Sequence, residues 1–325
     1  MPTQIDKDYL RSFQNYLMQC NNIIVLVGAG LSAASGVQTY QNSSGYWKDF
    51  HSIDISTPDA FLDNPGLVWQ FYSWRRHRAL KAKPNKGHYA IAALSEKFNS
   101  ANNNERKRKN NKQCLTINQN VDGLNLRAGH DKANLLELHG NLFDLRCTDF
   151  FCSYRESNNF EHPLTQALGL VDDESDKGDD TYEEHNRNKK RRLDREKGKV
   201  NTNLSKEDLP ACPRCGGLLR PGVVWFGESI PLKAINTIDD FFVSNKIDLI
   251  LVVGTSGKMW PAIGYVERVR LQGGKIAIFN TEVNSDEISN DKDCWGFEGD
   301  ASETLGIALE PVIGRNYVPR NYRKR

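Results

Sequence analysis

The stretch Ile23–Gly36, IIVLVGAGLSAASG, constrains the chain more than any other. Its apolar run, mostly β-branched, goes straight into Gly28-Ala29-Gly30. An unbroken run of this kind stopped by glycine reads as a strand buried on both faces. The glycines allow a sharp turn and close approach of backbone to a neighbour. Small residues and serines then open a helix over Leu31–Ser35. A strand, a glycine turn and a helix start form an anion site, since free N–H groups and the helix dipole favour phosphate there. The same turn is also compatible with tight packing alone. The ordinary dinucleotide fingerprint, GxGxxG, needs glycine where this chain has Ala33, and no apolar strand leads into Asp49 or Asp54, the acids that would hold a ribose. Hydride transfer of the usual dehydrogenase type is therefore disfavoured.

The chain has 325 residues, a formal net charge of +2 and seven cysteines. The near-neutral balance demands neither nucleic acid nor an anionic membrane surface. The mean hydropathy of −0.60 is low for a globular enzyme. Two polar tracts explain much of it, Asn99–Lys112 and Asp172–Lys199, both of which read as solvated insertions. The second is charge-segregated: Asp172–Glu184 is acidic and Asn186–Lys199 basic, and Lys189–Arg192 matches a nuclear-localisation patch. No apolar run approaches the ~20 residues of a membrane span. The early start of the first strand, with Asp6 and Asp8 before it, argues against a removable presequence. The expectation is an intracellular protein, cytoplasmic or nuclear, with mitochondria left open.

Asp6–Cys20 carries Leu10, Phe13, Tyr16 and Leu17 at helical spacing. Gln38–Phe50 is a polar loop that either folds over a ligand or is pinned to the surface by Trp47. Thr57-Pro58 is a helix start. In the helix Val68–Leu80, Tyr72 and Arg75 share a face and suit a carboxylate, although Arg75, Arg76 and Arg78 equally suit a solvated face. A helix over His88–Phe98 precedes the strand Cys114–Ile117, whose end carries Asn118, Gln119, Asn120, Val121, Asp122 and Gly123. Amides and an acid there lie where open α/β sheets bind ligands, and they are also common turn formers. His139, followed by Gly140, is a second candidate polar strand end. Leu218–Glu228 is an extended apolar segment. Ile247–Val253 delivers Gly254-Thr255-Ser256, and Lys275–Phe279 delivers Asn280-Thr281-Glu282, a grip for ribose hydroxyls. Cys147 and Cys152 with Cys212 and Cys215 form two thiol pairs able to close a tetrahedral, structural Zn²⁺ site, because four thiolates leave no open catalytic position.

Strands alternating with helices such as Pro261–Leu271 give an α/β fold, a Rossmann-like doubly wound parallel sheet with a smaller inserted zinc-binding domain and helical module. The expected boundaries are 1–42, 99–141 and 217–325 for the NAD-binding domain, 43–98 for the cofactor loop and helical module, and 142–216 for the zinc module with its insertion at 172–199.

Together, GAGLSAASG, NQNVDG, LHG, the two cysteine pairs, VVWFGE, GTS and NTE resemble the sirtuin family of NAD-dependent protein-lysine deacylases over nearly the whole chain. GYW at Gly45–Trp47, the Tyr72/Arg75 pair and RPGVVWFGE are similar to its class III branch, which prefers succinyl, malonyl and glutaryl lysine. The resemblance implies that Tyr72 and Arg75 bind the acyl carboxylate. It also implies that NAD is held by Gly28, Ala29, Gly30, Ser32, Ala33, Tyr40, Trp47, Gln119, Asn120, Val121, Asp122, Gly254, Thr255, Ser256, Asn280, Thr281, Glu282 and Ala301. In the family mechanism the acyl oxygen attacks the ribose C1′ as nicotinamide leaves, and a histidine, here His139, is general base. Asn120 is the second catalytic candidate. Val224, Trp225, Phe226, Gly227 and Glu228 would receive the acyl-lysine by strand addition. Products are lysine, nicotinamide and O-acyl-ADP-ribose, and the partners are acyl-lysine proteins. An ordinary deacetylase, a weakly active NAD or ADP-ribose binder and a zinc-ribbon nucleic-acid binder are the competing readings. The chain departs from the family at Gln38–Gln41, where an arginine is lost, at Asn125, at Gly222, at Gly257-Lys258 and in the wide spacing of Cys147 and Cys152.

Overall fold

A computed structural model describes residues 6–37, 46–100, 112–169, 204–255, 262–284, 288 and 291–318. The charged insertion at 172–199, Gln38–Gly45 and Ser256–Pro261 lie outside the described residues. The chain divides into two compact units. The first comprises Met1–Ser44, Lys81–Asn141 and Ser229–Arg325, and the second comprises Gly45–Leu80 and Leu142–Glu228.

The first unit is built on β1 (Asn22–Val27). It pairs in parallel with β2 (Gln113–Asn118) on one side, and β3 (Leu135–Glu137) follows outward. On the other side of β1 the chain adds β4 (Leu249–Val253), β5 (Lys275–Asn280) and β6 (Cys294–Glu298), again all parallel. The order is β6-β5-β4-β1-β2-β3. Strand succession therefore reverses between β1 and β4, the topological switch point at which open α/β sheets leave a crevice.

Alternation along β1 explains the double winding. Ile23, Val25 and Val27 point into one core with Phe13 and Leu17 of α1 (Lys7–Gln19), the α2 turn (Ala29–Ala33), α3 (Lys86–Asn99) and the far helix Ala301–Ile313. Ile24 and Leu26 point into a second core with Ile238 and Phe242 from the helix Leu232–Ser244, and Tyr265 and Val269 from Ala262–Leu271. A strand clothed by helices on both faces cannot alternate with polar residues, hence the unbroken apolar run. Helix ends are set by side chains: Asp6 caps α1 through the Tyr9 N–H, and Asn85 caps α3 in a reciprocal box with His88. The short α4 (Leu124–Arg127) follows Gly123, which sits at φ +69°.

The second unit joins the helices Ser52–Ile55, Pro58–Asp63 and Pro65–Lys81 to a three-stranded sheet of Arg155–Glu156, Gly140–Cys147 and Leu219–Val223. The Thr57-Pro58 start is present as read, with Thr57 accepting from the Ala60 N–H. Arg76 corrects the picture of a wholly solvated arginine face. It is fully buried. Its guanidinium donates to the carbonyls of Leu142 (2.5 Å), Asn159 (2.8 Å) and Glu161 (2.9 Å), so it ties the long helix both to the strand Gly140–Cys147 and to the loop around Asn159–Glu161. Burial pulls its pKa down to about 10, opposed by Glu156 and Glu161.

Phe13 has no exposed surface and meets Phe279, Trp295 and Phe297 edge-on at 6.1, 5.6 and 5.1 Å. Phe13→Ala removes these contacts and leaves a cavity, and denaturant titration is expected to show a loss of about 3–5 kcal/mol.

Candidate active site and zinc centre

In the first unit the strand ends β1, β2, β4 and β5 bring together most of the expected cofactor residues. The turn Gly28–Gly30 lies against the turn at Gly254: the Gly28 N–H donates to Val253 O and the Gly30 N–H to Gly254 O, both at 2.8 Å. A Cβ on Gly28 would fall 2.5 Å from Thr255 Cβ, and one on Gly30 would fall 2.8 Å from Gly254 Cα. Gly254 itself is at φ +60°. The glycines are thus required first by backbone packing on backbone, a role the sequence leaves open beside ligand approach. The Leu31 N–H is also engaged, by Gly28 O at 3.2 Å. Helix α2 runs only over Ala29–Ala33, with Ser32 buried beneath it and Ala33 half-buried.

Behind this turn lies a buried polar cluster. Ser32 Oγ donates to Asp122 Oδ2 at 2.6 Å, and Asp122 Oδ1 accepts the Leu124 N–H at 2.9 Å. Asn120 Nδ2 donates to Gly28 O (2.9 Å) and Ser32 Oγ (3.2 Å), which uses both of its amide hydrogens. Asn120 Oδ1 has no partner among the described residues and is not sealed from solvent, so it is an acceptor open to a ligand. His88 closes the cluster from α3, 3.4 Å from Ser32 Oγ, and sequence reasoning gave it only a helical role. The signal was there in its place at N3 after Asn85, where a glutamate is the usual partner.

His139 follows β3. Its Nδ1 lies 2.8 Å from the carbonyl of Gln119. A carbonyl only accepts, so Nδ1 carries the hydrogen and Nε2 is left as a free base. Burial lowers its pKa, partly offset by that hydrogen bond. Gln119 and Val121 are half-buried, and the Gln119 N–H is held by Val27 O at 2.9 Å. At β5, Asn280 Oδ1 accepts the Thr281 N–H, while Thr281 and Glu282 are exposed. Ala301 is buried at the start of the last helix, which Asp300 caps. Tyr40 and Ser256 lie outside the described residues. Asn125 is 1% exposed and neither of its amide atoms has a partner among the described residues.

Trp47 belongs to the second unit, buried against Phe71 (5.4 Å), Trp74 (6.4 Å) and Phe50 (6.5 Å). That aromatic cluster continues through Tyr72 to Trp225. The Arg75 guanidinium sits 5.7 Å from the rings of both Phe71 and Tyr72, a half-exposed cation on an aromatic bed. The segment after Val223 is exposed at Phe226 and turns at Gly227, φ +86°. Although burial alone would raise it, hydrogen bonds from Arg220 and the Trp225 N–H, with the charges of Arg220 and Arg146, hold the Glu228 carboxyl below the usual carboxylate range. Gly222 is explained by packing: a Cβ there would lie 2.5 Å from Asp144 Cβ.

Cys147, Cys152, Cys212 and Cys215 place their sulfurs within 4.8 Å of one another. The pairs Cys147–Cys215 and Cys152–Cys212 are 3.5 and 3.8 Å apart. Tetrahedral zinc with sulfur at about 2.3 Å spaces its ligands by ~3.8 Å. The Asp149 and Gly217 N–H groups donate to Cys147 and Cys215 sulfur at 3.4 Å, as thiolate ligands require. The donor set fits zinc, and it would hold the knuckles together without entering the chemistry. The wide spacing between Cys147 and Cys152 is accommodated by turning Phe150 and Phe151 outward, 93% and 94% exposed.

A doubly wound parallel sheet with an amide and carboxylate cluster at its switch point, joined to a Cys₄ metal unit, defines the class as an α/β dinucleotide-binding architecture. Residues 28–261 match the Sir2 family model. The chain is 53% identical over 322 residues to an NAD-dependent protein deacylase of Candida albicans, covering 94% of this chain and 98% of that protein. It is 35% identical over 304 residues to the mitochondrial NAD-dependent protein deacylase sirtuin-5 of Canis lupus familiaris, covering 93% and 85%. A crystal structure of a Sir2 homolog–NAD complex superposes with a TM-score of 0.67 at 27% identity, covering 95% and 94%. The chain belongs to the Sir2 family.

Two outcomes follow from this geometry. Burial holds His88 and His130 down at about 4 and lowers His139 as well. The unfolded chain takes up these protons from about pH 6.5 downward while the folded chain does not. The contributions of His88 and His130 are therefore full above that pH and fall between about 6.5 and 4, by up to ~1.4 kcal/mol per pH unit for each of the two. Denaturant titrations across that range, with His130→Gln losing one share of the slope, check this. Cys212→Ser is expected to abolish stoichiometric zinc and to lower the unfolding temperature, read by metal analysis and calorimetry.

Proposed function

We propose that this protein is an NAD-dependent protein-lysine deacylase that removes short dicarboxylic acyl groups, succinyl, malonyl or glutaryl. The observation that carries the acyl preference is Arg75, a guanidinium resting on the Phe71 and Tyr72 rings beside the buried Tyr72. A fixed, planar cation flanked by a phenol suits a carboxylate and does nothing for an acetyl group.

The roles follow from the residues. Gly28–Ala33, Gln119–Asp122, Gly254–Thr255, Asn280–Glu282 and Ala301 hold NAD along the strand ends. Asn120, with its open carbonyl oxygen, accepts from the nicotinamide amide, and Asp122 is fixed beside it by Ser32. NAD is consumed as cosubstrate, supplying the ribose carbon that takes the acyl oxygen when nicotinamide leaves. His139 uses Nε2 to draw a proton from a ribose hydroxyl, and the Gln119 carbonyl stabilises the imidazolium that results. Val224–Gly227 pairs with the peptide backbone as an added strand. The substrates are acyl-lysine proteins, in keeping with the names of the relatives. Among the described residues no helix is long and apolar enough to cross a membrane. None of the seven cysteines is paired in a disulfide, which suits a reducing compartment.

Nicotinamide release from matched succinyl-lysine and acetyl-lysine peptides tests the reading. Wild type is expected to favour succinyl, His139→Ala to lose 10²-fold or more, and Arg75→Met to lose the preference. Release that favours acetyl in the wild type sinks the carboxylate pocket but keeps the mechanism. An acid limb of the rate profile below the ordinary histidine value of ~6.5 is the expected sign of the buried base.

A further inference from the structure

The segment Val223–Glu228 is closed on itself by one carboxylate. Glu228 Oε2 accepts the Trp225 N–H at 2.8 Å, and the Glu228 N–H returns to Trp225 O at 3.0 Å. Arg220 grips the same carboxylate with both terminal nitrogens, Nη1 to Oε1 at 2.6 Å and Nη2 to Oε2 at 2.9 Å. Arg146 Nη2 adds a fourth donor, to Oε1 at 2.9 Å. A carboxylate has about four acceptor positions, and all four of those on Glu228 are used within the unit. Although it stands in the segment expected to meet substrate, its carboxylate has nothing left to offer one.

Arg220 does more than balance that charge. Its guanidinium carbon lies 3.3 Å from the centre of the Trp225 ring, against its face, and Nη2 also donates to Val223 O at 3.1 Å. Trp225 is 3% exposed. Its other aromatic neighbours are Phe61 at 5.1 Å and Tyr72 at 6.3 Å. The contacts run from carboxylate to guanidinium, from guanidinium to indole, from indole to phenol, and from Tyr72 to Arg75.

We propose that Arg220 and Glu228 are positioning residues for acyl recognition: Glu228 fixes Arg220, and Arg220 presses the Trp225 indole toward Tyr72, setting the aromatic wall on which Arg75 rests. The inference rests on the reading of Tyr72, Arg75 and Val224–Gly227 as the acyl-lysine site. Only arginine serves here, because the task needs a flat cation that stacks on a ring while gripping a carboxylate with two parallel bonds. Lysine keeps the charge and loses both.

The test is steady-state kinetics of Arg220→Lys, Arg220→Met and Glu228→Gln with succinyl and acetyl peptides, each with zinc content measured. For Arg220→Lys the expected result is a KM for succinyl peptide raised about tenfold, a reduced succinyl-over-acetyl ratio, kcat and the KM for NAD within twofold of wild type, and one zinc per chain. Arg220→Met is expected to go further in the same direction. Glu228→Gln, which keeps two acceptor positions, is expected to fall between wild type and Arg220→Lys. An unchanged peptide KM overturns the proposal. So does a joint loss of peptide binding, NAD binding and zinc, which marks a merely structural role. Where Arg220→Met does not fold, the lysine variant decides. A wild type that turns over neither peptide sinks the functional reading itself. Anisotropy of a labelled succinyl-lysine peptide with NAD then decides the positioning claim: weaker binding by Arg220→Lys keeps it, and equal binding or none by wild type removes it.

Discussion

Backbone pressed on backbone at the switch point governs the first unit. The Gly28–Gly30 turn and Gly254 approach so closely that a single methyl group at any of them would overlap the other turn. Two amides of the glycine turn donate across the gap at 2.8 Å. The Ser32, Asn120 and Asp122 cluster hangs from that approach. Gly28 O is one anchor of the Asn120 amide, and Ser32, one helical turn on, is the other. Asp122 is in turn held by Ser32. The Ser32, Asn120 and Asp122 cluster is therefore a by-product of how two strands of the same sheet end side by side.

The second unit uses buried cations for the same purpose. Arg76 donates to three main-chain carbonyls, and Arg220 grips a carboxylate with two bonds while lying on an indole. Desolvating an arginine is unfavourable unless most of its donors are used, and the terminal nitrogens of both residues are, so each fixes the geometry of what it touches. A zinc ion on the four cysteines would brace the other end of the same sheet through Cys147.

The fold was legible because its signals are local and repetitive. The apolar run of β1, the runs that became β4 and β5, and the Thr57-Pro58 start needed no tertiary knowledge. The strand Cys294–Glu298 and the helices Leu232–Ser244 and Ala301–Ile313 were not singled out, the first because Trp295, Gly296 and Phe297 mix with turn residues on both sides. At the site, His139 and the NQNVDG segment stood at strand ends and could be read. Arg76 could not, since three neighbouring arginines on a helix look alike until two prove half-buried and one fully buried. Nor could the commitment of Glu228, because Arg146 lies 82 residues away in the chain.

His139 takes its orientation from a main-chain oxygen, where many histidine bases take theirs from a carboxylate side chain. No codon change at position 119 deletes that oxygen. The tautomer of the imidazole is thereby insulated from mutation of its partner, and the Gln119 side chain can change while Nδ1 keeps its hydrogen and Nε2 stays the acceptor.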